Sequence, residues 1–101
     1  MGRNTVEAFT RTEQDLLREK AAVLARIGGR LARLLRELDE IREQLESVPR
    51  EGRPPLVAAF NEVREEAERY RWYLMVQREA VGFRRHASLN EEYPIPRPLR
   101  R

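Results

Sequence analysis

Apolar residues recur along the first half of the chain in alternating steps of three and four. The series continues through eight positions without an error, namely Leu24, Ile27, Leu31, Leu34, Leu38, Ile41, Leu45 and Val48. An average spacing of 3.5 residues keeps one stripe of a helix against a partner helix, as in a coiled coil. The pattern therefore predicts a long first helix over about residues 5–47.

Gly28 and Gly29 interrupt this pattern with two residues that disfavour helix, each by about 1 kcal/mol relative to Ala. They could break the first helix in two, or they could lie inside one continuous helix. The heptad phase is the same before and after the pair, whereas a break would normally reset it. We therefore expect one continuous helix.

Three prolines and a glycine within residues 47–55 end the first helix. Proline lacks a backbone N–H and disfavours helix in the residue before it, so we expect a turn over residues 48–55. A second helix is then predicted over residues 56–88, with a seam formed by Leu56, Phe60, Val63, Ala67, Tyr70, Leu74, Gln77 and Val81. A short turn between two such helices brings them back antiparallel.

The turn also sets the register of this predicted hairpin. If its centre lies at residues 51–52, the numbers of facing residues sum to about 103, and Leu31 lies near Trp72. The two glycines then lie near Leu74 and Met75. This register predicts that the glycines make room for the large residues opposite them.

Residues 89–101 form a Pro/Arg-rich tail in which prolines at alternate positions favour an extended path. Its candidate contact residues are Tyr93, Ile95, Arg97 and Leu99. The tail could pack against its own hairpin or a dimer mate, or it could be a linear motif for the groove of a partner. The PxxP spacing of SH3 ligands does not occur, and we expect packing against the domain itself or its dimer mate.

Residues 70–83 carry apolar side chains most of the way round the second helix, which is more than one partner helix can cover. The candidate interface residues in this stretch are Tyr70, Trp72, Tyr73, Val76, Ala80 and Phe83. The start of the first helix or the tail could cover the second apolar face. Alternatively it is a docking or dimer surface, for which exposed Trp and Tyr are typical. A 101-residue chain has few spare elements, so we expect an intermolecular face and a dimer that forms a four-helix bundle.

Charged residues make up 37% of the chain, which suits paired helices that expose much of their surface to water. Residues 1–83 hold 15 basic and 15 acidic side chains, so the net charge of +3 arises after Phe83, from Arg84, Arg85, Arg97, Arg100 and Arg101 against Glu91 and Glu92. A nucleic-acid binder usually carries a basic face along its body, whereas the charges of residues 1–83 balance and only the C-terminal end is basic. All basic residues except Lys20 are Arg, which suits carboxylate and phosphate pairing or reflects a GC-rich bacterial genome.

Catalytic and metal-binding patterns are missing from the sequence. There is no cysteine, and His86, the only histidine, has no carboxylate pair near it. The Gly28–Gly29 pair lacks the spacing of a phosphate loop. We therefore expect no enzymatic activity, no cofactor and no metal.

Together these patterns predict an all-α fold, with a long antiparallel coiled-coil hairpin over residues 1–88 and an extended tail over residues 89–101. No secretory signal or membrane span is visible, so we expect a cytoplasmic protein. The leading hypothesis is a structural or adaptor protein that pairs with itself and with a larger protein. A nucleic-acid accessory protein that contacts phosphate through its basic C-terminal end is the alternative, and membrane attachment through Trp72 and Phe83 is a third.

Overall fold

The chain forms two long helices and one short one. The computed structural model describes residues 2–82 and 87–101, with side chains for 10–82 and 88–101. Helix α1 is Gly2–Ser47, a 3₁₀ turn occupies Arg50–Gly52, α2 is Arg53–Ala80 and α3 is Ala87–Glu92. Helix α2 packs against α1, which confirms the predicted all-α hairpin.

Helix α1 passes through Gly28 and Gly29 without a break, as the unchanged heptad phase predicted. It contains 46 residues and is therefore about 69 Å long, whereas α2 contains 28 residues and is about 42 Å long. The molecule measures 75 × 20 × 16 Å, so it is a rod with the hinge at one end.

The core is a row of apolar side chains between α1 and α2, and it divides into two clusters. The cluster near the hinge consists of Leu38, Ile41, Leu45, Val57 and Phe60. The second cluster consists of Leu31, Leu34, Ala67, Leu74 and Leu89. Every α1 side chain in these clusters belongs to the predicted heptad series. Fully burying one such aliphatic or aromatic side chain is worth about 1.5–3 kcal/mol, and this burial holds two highly charged helices together.

The hinge is shorter than the predicted turn of residues 48–55. The amide of Val48 donates to the carbonyl of Gln44 at 3.0 Å, and the amide of Gly52 donates to Pro49 at 2.9 Å. Helix α2 then begins at Arg53 and not at residue 56. Two successive prolines fit into its first turn because the first amides of a helix have no acceptor within the helix.

The shorter hinge changes the register. Residues 48–52 separate the two α-helices and are centred on residue 50, so facing numbers sum to about 100. A terminal guanidinium nitrogen of Arg30 donates to Glu66 at 2.8 Å, and its Cζ lies 5.9 Å from the ring centre of Tyr70. The hydrogen bond from Arg30 to Glu66 raises the pKa of Arg30 further above its ordinary value. Trp72, which the predicted register placed near Leu31, is 56% exposed, whereas Leu31 is fully buried.

Helix α2 ends at Ala80, eight residues before the predicted end at Ser88. Gly82 has a φ of 101°, in the left-handed region that glycine adopts without the penalty of a Cβ. The amides of Val81 and Gly82 donate to Arg78 and Glu79, which closes the last turn. The chain therefore leaves the axis of α2 at this glycine.

Helix α3 brings the chain back to the hairpin. Its Leu89 is buried in the second core cluster, and Arg78 donates to the carboxylate of Glu92 at 3.1 Å. The predicted tail was placed from Leu89 onward, but residues 89–92 belong to α3 and the segment without regular secondary structure begins after Glu92. The amide of Tyr93 still donates to Leu89 at 3.0 Å, which completes the last turn of α3.

Candidate protein-binding surfaces

The tail returns along the hairpin toward the hinge, in contact with both long helices. Tyr93 and Ile95 pack against the second core cluster, and Leu99 packs against the cluster near the hinge. Side chains of α2 meet the tail in reverse order, because Arg71 meets Tyr93 and Arg64 meets Pro96. The tail therefore runs antiparallel to α2.

Backbone groups of the tail are held by polar side chains of α2. Arg64 donates from Nε to the carbonyl of Pro96 at 2.6 Å, and Arg71 donates to the carbonyl of Tyr93 at 3.2 Å. Asn61 makes two bonds to Leu99: its amide nitrogen donates to the carbonyl at 2.9 Å, and its Oδ1 accepts from the backbone amide at 2.8 Å. These bonds supply the partners that an extended segment cannot supply to itself.

Three of the four predicted tail contacts therefore lie against the hairpin, and the fourth does not. Tyr93, Ile95 and Leu99 are half-buried, whereas Arg97 is exposed. The sequence favoured packing against the domain itself or its dimer mate, and in the structure the tail packs against its own hairpin.

Gly28 has a different neighbour from the one that the sequence predicted. A Cβ built on Gly28 would stand 3.0 Å from the hydroxyl oxygen of Tyr93, and no atom of Leu74 or Met75 lies within 4 Å of it. A Cβ on Gly29 would meet nothing within 4 Å. Gly28 thus makes room for Tyr93 of the tail, and the prediction that the glycines make room for Leu74 and Met75 is wrong.

Three aromatic side chains of α2 form a connected group. Tyr70 and Tyr73 meet edge to face with ring centres 5.8 Å apart, and Trp72 and Tyr73 do so at 5.6 Å. Tyr70 is half-buried beneath Arg30, whereas Trp72 is 56% exposed and Tyr73 43% exposed. We call Trp72 and Tyr73 the aromatic surface.

The remaining predicted interface residues are distributed differently. Val76 is half-buried and Ala80 is exposed. Phe83 lies outside the residues that the structure describes, as do Arg84, Arg85 and His86. Of the predicted interface residues that the structure describes, Tyr70 packs against the second core cluster and Val76 is half-buried, whereas Trp72, Tyr73 and Ala80 are exposed.

Shallow grooves lie on both sides of Trp72. One, of about 510 Å³, is lined by Glu65, Glu68, Arg69, Trp72 and Tyr73. The other, of about 310 Å³, also contains Glu68 and Trp72 and is completed by Arg71, Met75, Leu89 and Asn90. The aromatic surface is thus bordered by charges of both signs.

Helix α1 continues beyond the end of α2. Ala80 lies ten residues after Tyr70 and fourteen after Glu66, both of which contact Arg30, so α2 ends opposite the stretch from Leu16 to Lys20. Burial agrees with this register, because every side chain from residue 10 to 19 is exposed and Lys20 is the first half-buried one. Leu16 and Leu17, two large apolar side chains in this part of α1, are 50% and 59% exposed.

The hinge end carries a group of arginines that the tail helps to assemble. A cavity of about 460 Å³ is lined by Arg50, Arg53, Pro54, Val57, Ala58, Arg100 and Arg101. The sequence placed its basic excess at the C-terminal end but did not bring Arg100 and Arg101 to Arg50 and Arg53. The apolar residues Tyr93, Ile95 and Leu99 indicated that the tail packs against a partner, but not that it runs toward the hinge.

Within residues 10–82 and 88–101, no group of three or more His, Asp and Glu side chains could hold a metal ion. Over the described ranges 2–82 and 87–101, none of the helices combines the length and apolar character needed to cross a membrane. No protein-family model matches the chain, and no curated protein or solved structure matches it either. Its function is therefore inferred from the geometry of its own residues.

Proposed function

We propose that the protein is a non-enzymatic adaptor, a rigid helical hairpin that joins proteins through its aromatic surface. The observation that supports this function best is the exposure of Trp72 and Tyr73, at 56% and 43%. Large aromatic side chains at this exposure leave apolar area in water, and Trp and Tyr are enriched at the centres of protein interfaces.

In the part of the chain that the structure describes, Trp72 and Tyr73 are not among the buried residues of the hairpin core. Leu74 fills the seam beside these residues, and Tyr93 of the tail lies next to Gly28 of α1. Phe60 and Leu74 would hold α2 against α1 with or without the indole of Trp72. A partner outside the chain is therefore the best account of why an aromatic pair is kept in water.

A second copy of the chain is the first partner that we propose. A twofold dimer requires a self-complementary surface, since each residue meets the partner's copy of another residue on the same surface. The groove beside Trp72 contains Glu65 and Glu68 together with Arg69, so a twofold axis can set the acidic residues of one copy against Arg69 of the other. Pairing two hairpins in this way gives a four-helix bundle, which leaves other surfaces for a larger protein.

The test is the mass of the protein in solution, measured by sedimentation equilibrium over a wide concentration range. A double variant, Trp72→Ala with Tyr73→Ala, should weaken self-association by at least about tenfold, as interface hot spots do. The matched control is Glu62→Ala with Arg36→Ala, two exposed residues on the same pair of helices. Far-UV circular dichroism should show unchanged helix content in both variants.

If the wild-type protein is a monomer at all concentrations, or if the aromatic and control variants associate equally, the proposed dimer is wrong. Capture of a larger protein by the wild type but not by the aromatic variant would then support the adaptor function without the dimer. Equal capture by both variants would remove the aromatic surface from the proposal.

A further inference from the structure

We infer that the hinge end of the hairpin is a binding site for an acidic peptide segment that also carries aliphatic side chains. This inference goes beyond the proposed adaptor surface, because the two sites are separate. Val57 and Trp72 are fifteen residues apart on α2, or roughly 22 Å along its axis. Either site can therefore be tested while the other is intact.

The cavity is assembled from two distant parts of the chain. Arg50 and Arg53 come from the hinge and the start of α2, whereas Arg100 and Arg101 come from the end of the tail. Leu99, directly before the tail arginines, is fixed by its two hydrogen bonds to Asn61. The four arginines thus line one cavity, and the end of the tail is anchored beside it.

The four arginines of this cavity outnumber the acidic residues of the hinge turn, where Glu51 stands between Arg50 and Arg53. Arg53 donates to the carbonyl of Leu45 at 2.9 Å, which orients its guanidinium without cancelling its charge. No carboxylate in the part of the chain that the structure describes forms a salt bridge with any of the four arginines. The first turn of α2 contains no acidic residue, so the partial positive charge of this helix end adds to theirs. An anionic ligand would relieve the repulsion among these charges.

The lining chemistry selects among anionic ligands. Arginine presents a planar fork of donors that pairs with a carboxylate through two parallel hydrogen bonds. Pro54 and Pro55 remove two amide donors from the first turn of α2, so the backbone cradle that typically binds phosphate at a helix start is missing. The floor is formed by Pro54, Val57 and Ala58, and it contains no aromatic ring on which a nucleobase could stack.

These features fit carboxylates on either side of an aliphatic side chain. The carboxylates meet the arginine rim, and the aliphatic group covers the floor. A cavity of about 460 Å³ is in the size range of sites for small ligands, so it accommodates a few peptide residues and not a folded surface.

The probe is a fluorescently labelled, end-blocked hexapeptide, Glu-Leu-Glu-Glu-Leu-Glu, titrated with the full chain at low ionic strength and followed by anisotropy. Two matched peptides replace either every Glu by Gln or every Leu by Ser. We expect saturable binding of the first peptide. Both replacements should weaken it by at least about tenfold, since each removes one of the two recognised chemistries.

The variants separate a built site from general attraction to a basic protein. Arg100→Gln with Arg101→Gln should weaken binding by at least about tenfold, since two charge-assisted contacts are lost. Arg36→Gln with Arg97→Gln removes the same net charge from exposed positions outside the cavity and should change affinity less than about twofold. Ala58→Glu places a carboxylate on the floor and should abolish binding while helix content stays unchanged.

Three results would overturn the inference. One is equal weakening by the cavity and control pairs, and another is equal binding of the Glu and Gln peptides. The third is tighter binding of a single-stranded oligonucleotide than of the peptide with the same dependence on Arg100 and Arg101, which would assign the cavity to nucleic acid. Because the aromatic variant of Trp72 and Tyr73 leaves the cavity intact, failure of the adaptor surface would not affect peptide binding.

Discussion

The hydroxyl oxygen of Tyr93 lies 3.0 Å from the position that a Cβ of Gly28 would occupy. A contact this short can be relieved, because the oxygen is at the free end of a long side chain. Relief requires the ring to move, however, and Tyr93 also packs against the second core cluster. A side chain at position 28 of α1 and the tyrosine at position 93 of the tail therefore compete for the same space.

Gly29→Ala should stabilise the protein and Gly28→Ala should stabilise it less. Both replace glycine inside a helix, which is worth about 1 kcal/mol, and this should raise the melting temperature by about 4–8 °C for a domain of this size. A Cβ on Gly29 meets nothing within 4 Å, whereas one on Gly28 presses on Tyr93. The measurement is thermal unfolding followed by circular dichroism.

A Tyr93→Phe background supplies the control for this comparison. Without the hydroxyl oxygen, Gly28→Ala should regain the full stabilisation of Gly29→Ala. Equal melting temperatures for the two alanine variants in the Tyr93 background would show that the contact with Gly28 costs nothing.

Asn61→Ala should release the end of the tail without unfolding the hairpin. The variant removes both hydrogen bonds to the backbone of Leu99. Each such bond contributes about 0.5–1.5 kcal/mol, so the backbone amide of Leu99 should lose about tenfold or more of its protection from hydrogen exchange.

Asn61→Asp is the companion variant for the tail, because its carboxylate keeps the acceptor for the Leu99 amide and replaces the donor with an oxygen that repels the Leu99 carbonyl. Protection of that amide should persist in Asn61→Asp. Slow exchange in Asn61→Ala as well would mean that apolar packing of Leu99 alone holds the tail in place.

Phe60→Ala and Trp72→Ala should have very different effects on stability although both remove a large aromatic ring from α2. Phe60 is fully buried in the cluster near the hinge, so its truncation should lower the free energy of unfolding by about 3–5 kcal/mol. Trp72 is largely exposed, and its truncation should cost less than about 1 kcal/mol. Urea unfolding measures both values, and a large loss for Trp72→Ala would assign its ring to the core.

In dilute solution, backbone amides should exchange fast in one part of α1 and slowly in another. Residues 10–19 lie beyond the end of α2 and are exposed, and a helical segment of this length is marginal in water without a partner. Their amides should exchange at least about a hundredfold faster than those of residues 31–45, which face the core. Uniform slow exchange along α1 would show that something covers Leu16 and Leu17.

The hairpin could be predicted because its information is local and repeated. Each of Leu31, Leu34 and Leu38 reports the same face of one helix, so an error at one position would not change the prediction. The register was misplaced by about three residues, because α2 accommodates Pro54 and Pro55 in its first turn and begins earlier than they suggested.

The position of the tail could not be obtained in the same way. Its anchors join Arg64 to the carbonyl of Pro96 and Asn61 to the backbone of Leu99, and a backbone group carries no sequence signal. The end of α2 was missed for a related reason: a single glycine at residue 82 was outweighed by the apolar residues around it. The aromatic surface was partly predicted, since composition identified the stretch but not which rings would face water.

The tail also determines how far apart the two termini of the described chain are held. Residue 101 lies beside the hinge, whereas the start of α1 is at the opposite tip of a molecule 75 Å long. Labels or fused proteins placed at these two positions would be separated by nearly the whole length of the rod. If the tail were released from Asn61, the C-terminal label would move away from the hinge. The two hydrogen bonds between Asn61 and Leu99 therefore help to fix the distance between the two labels.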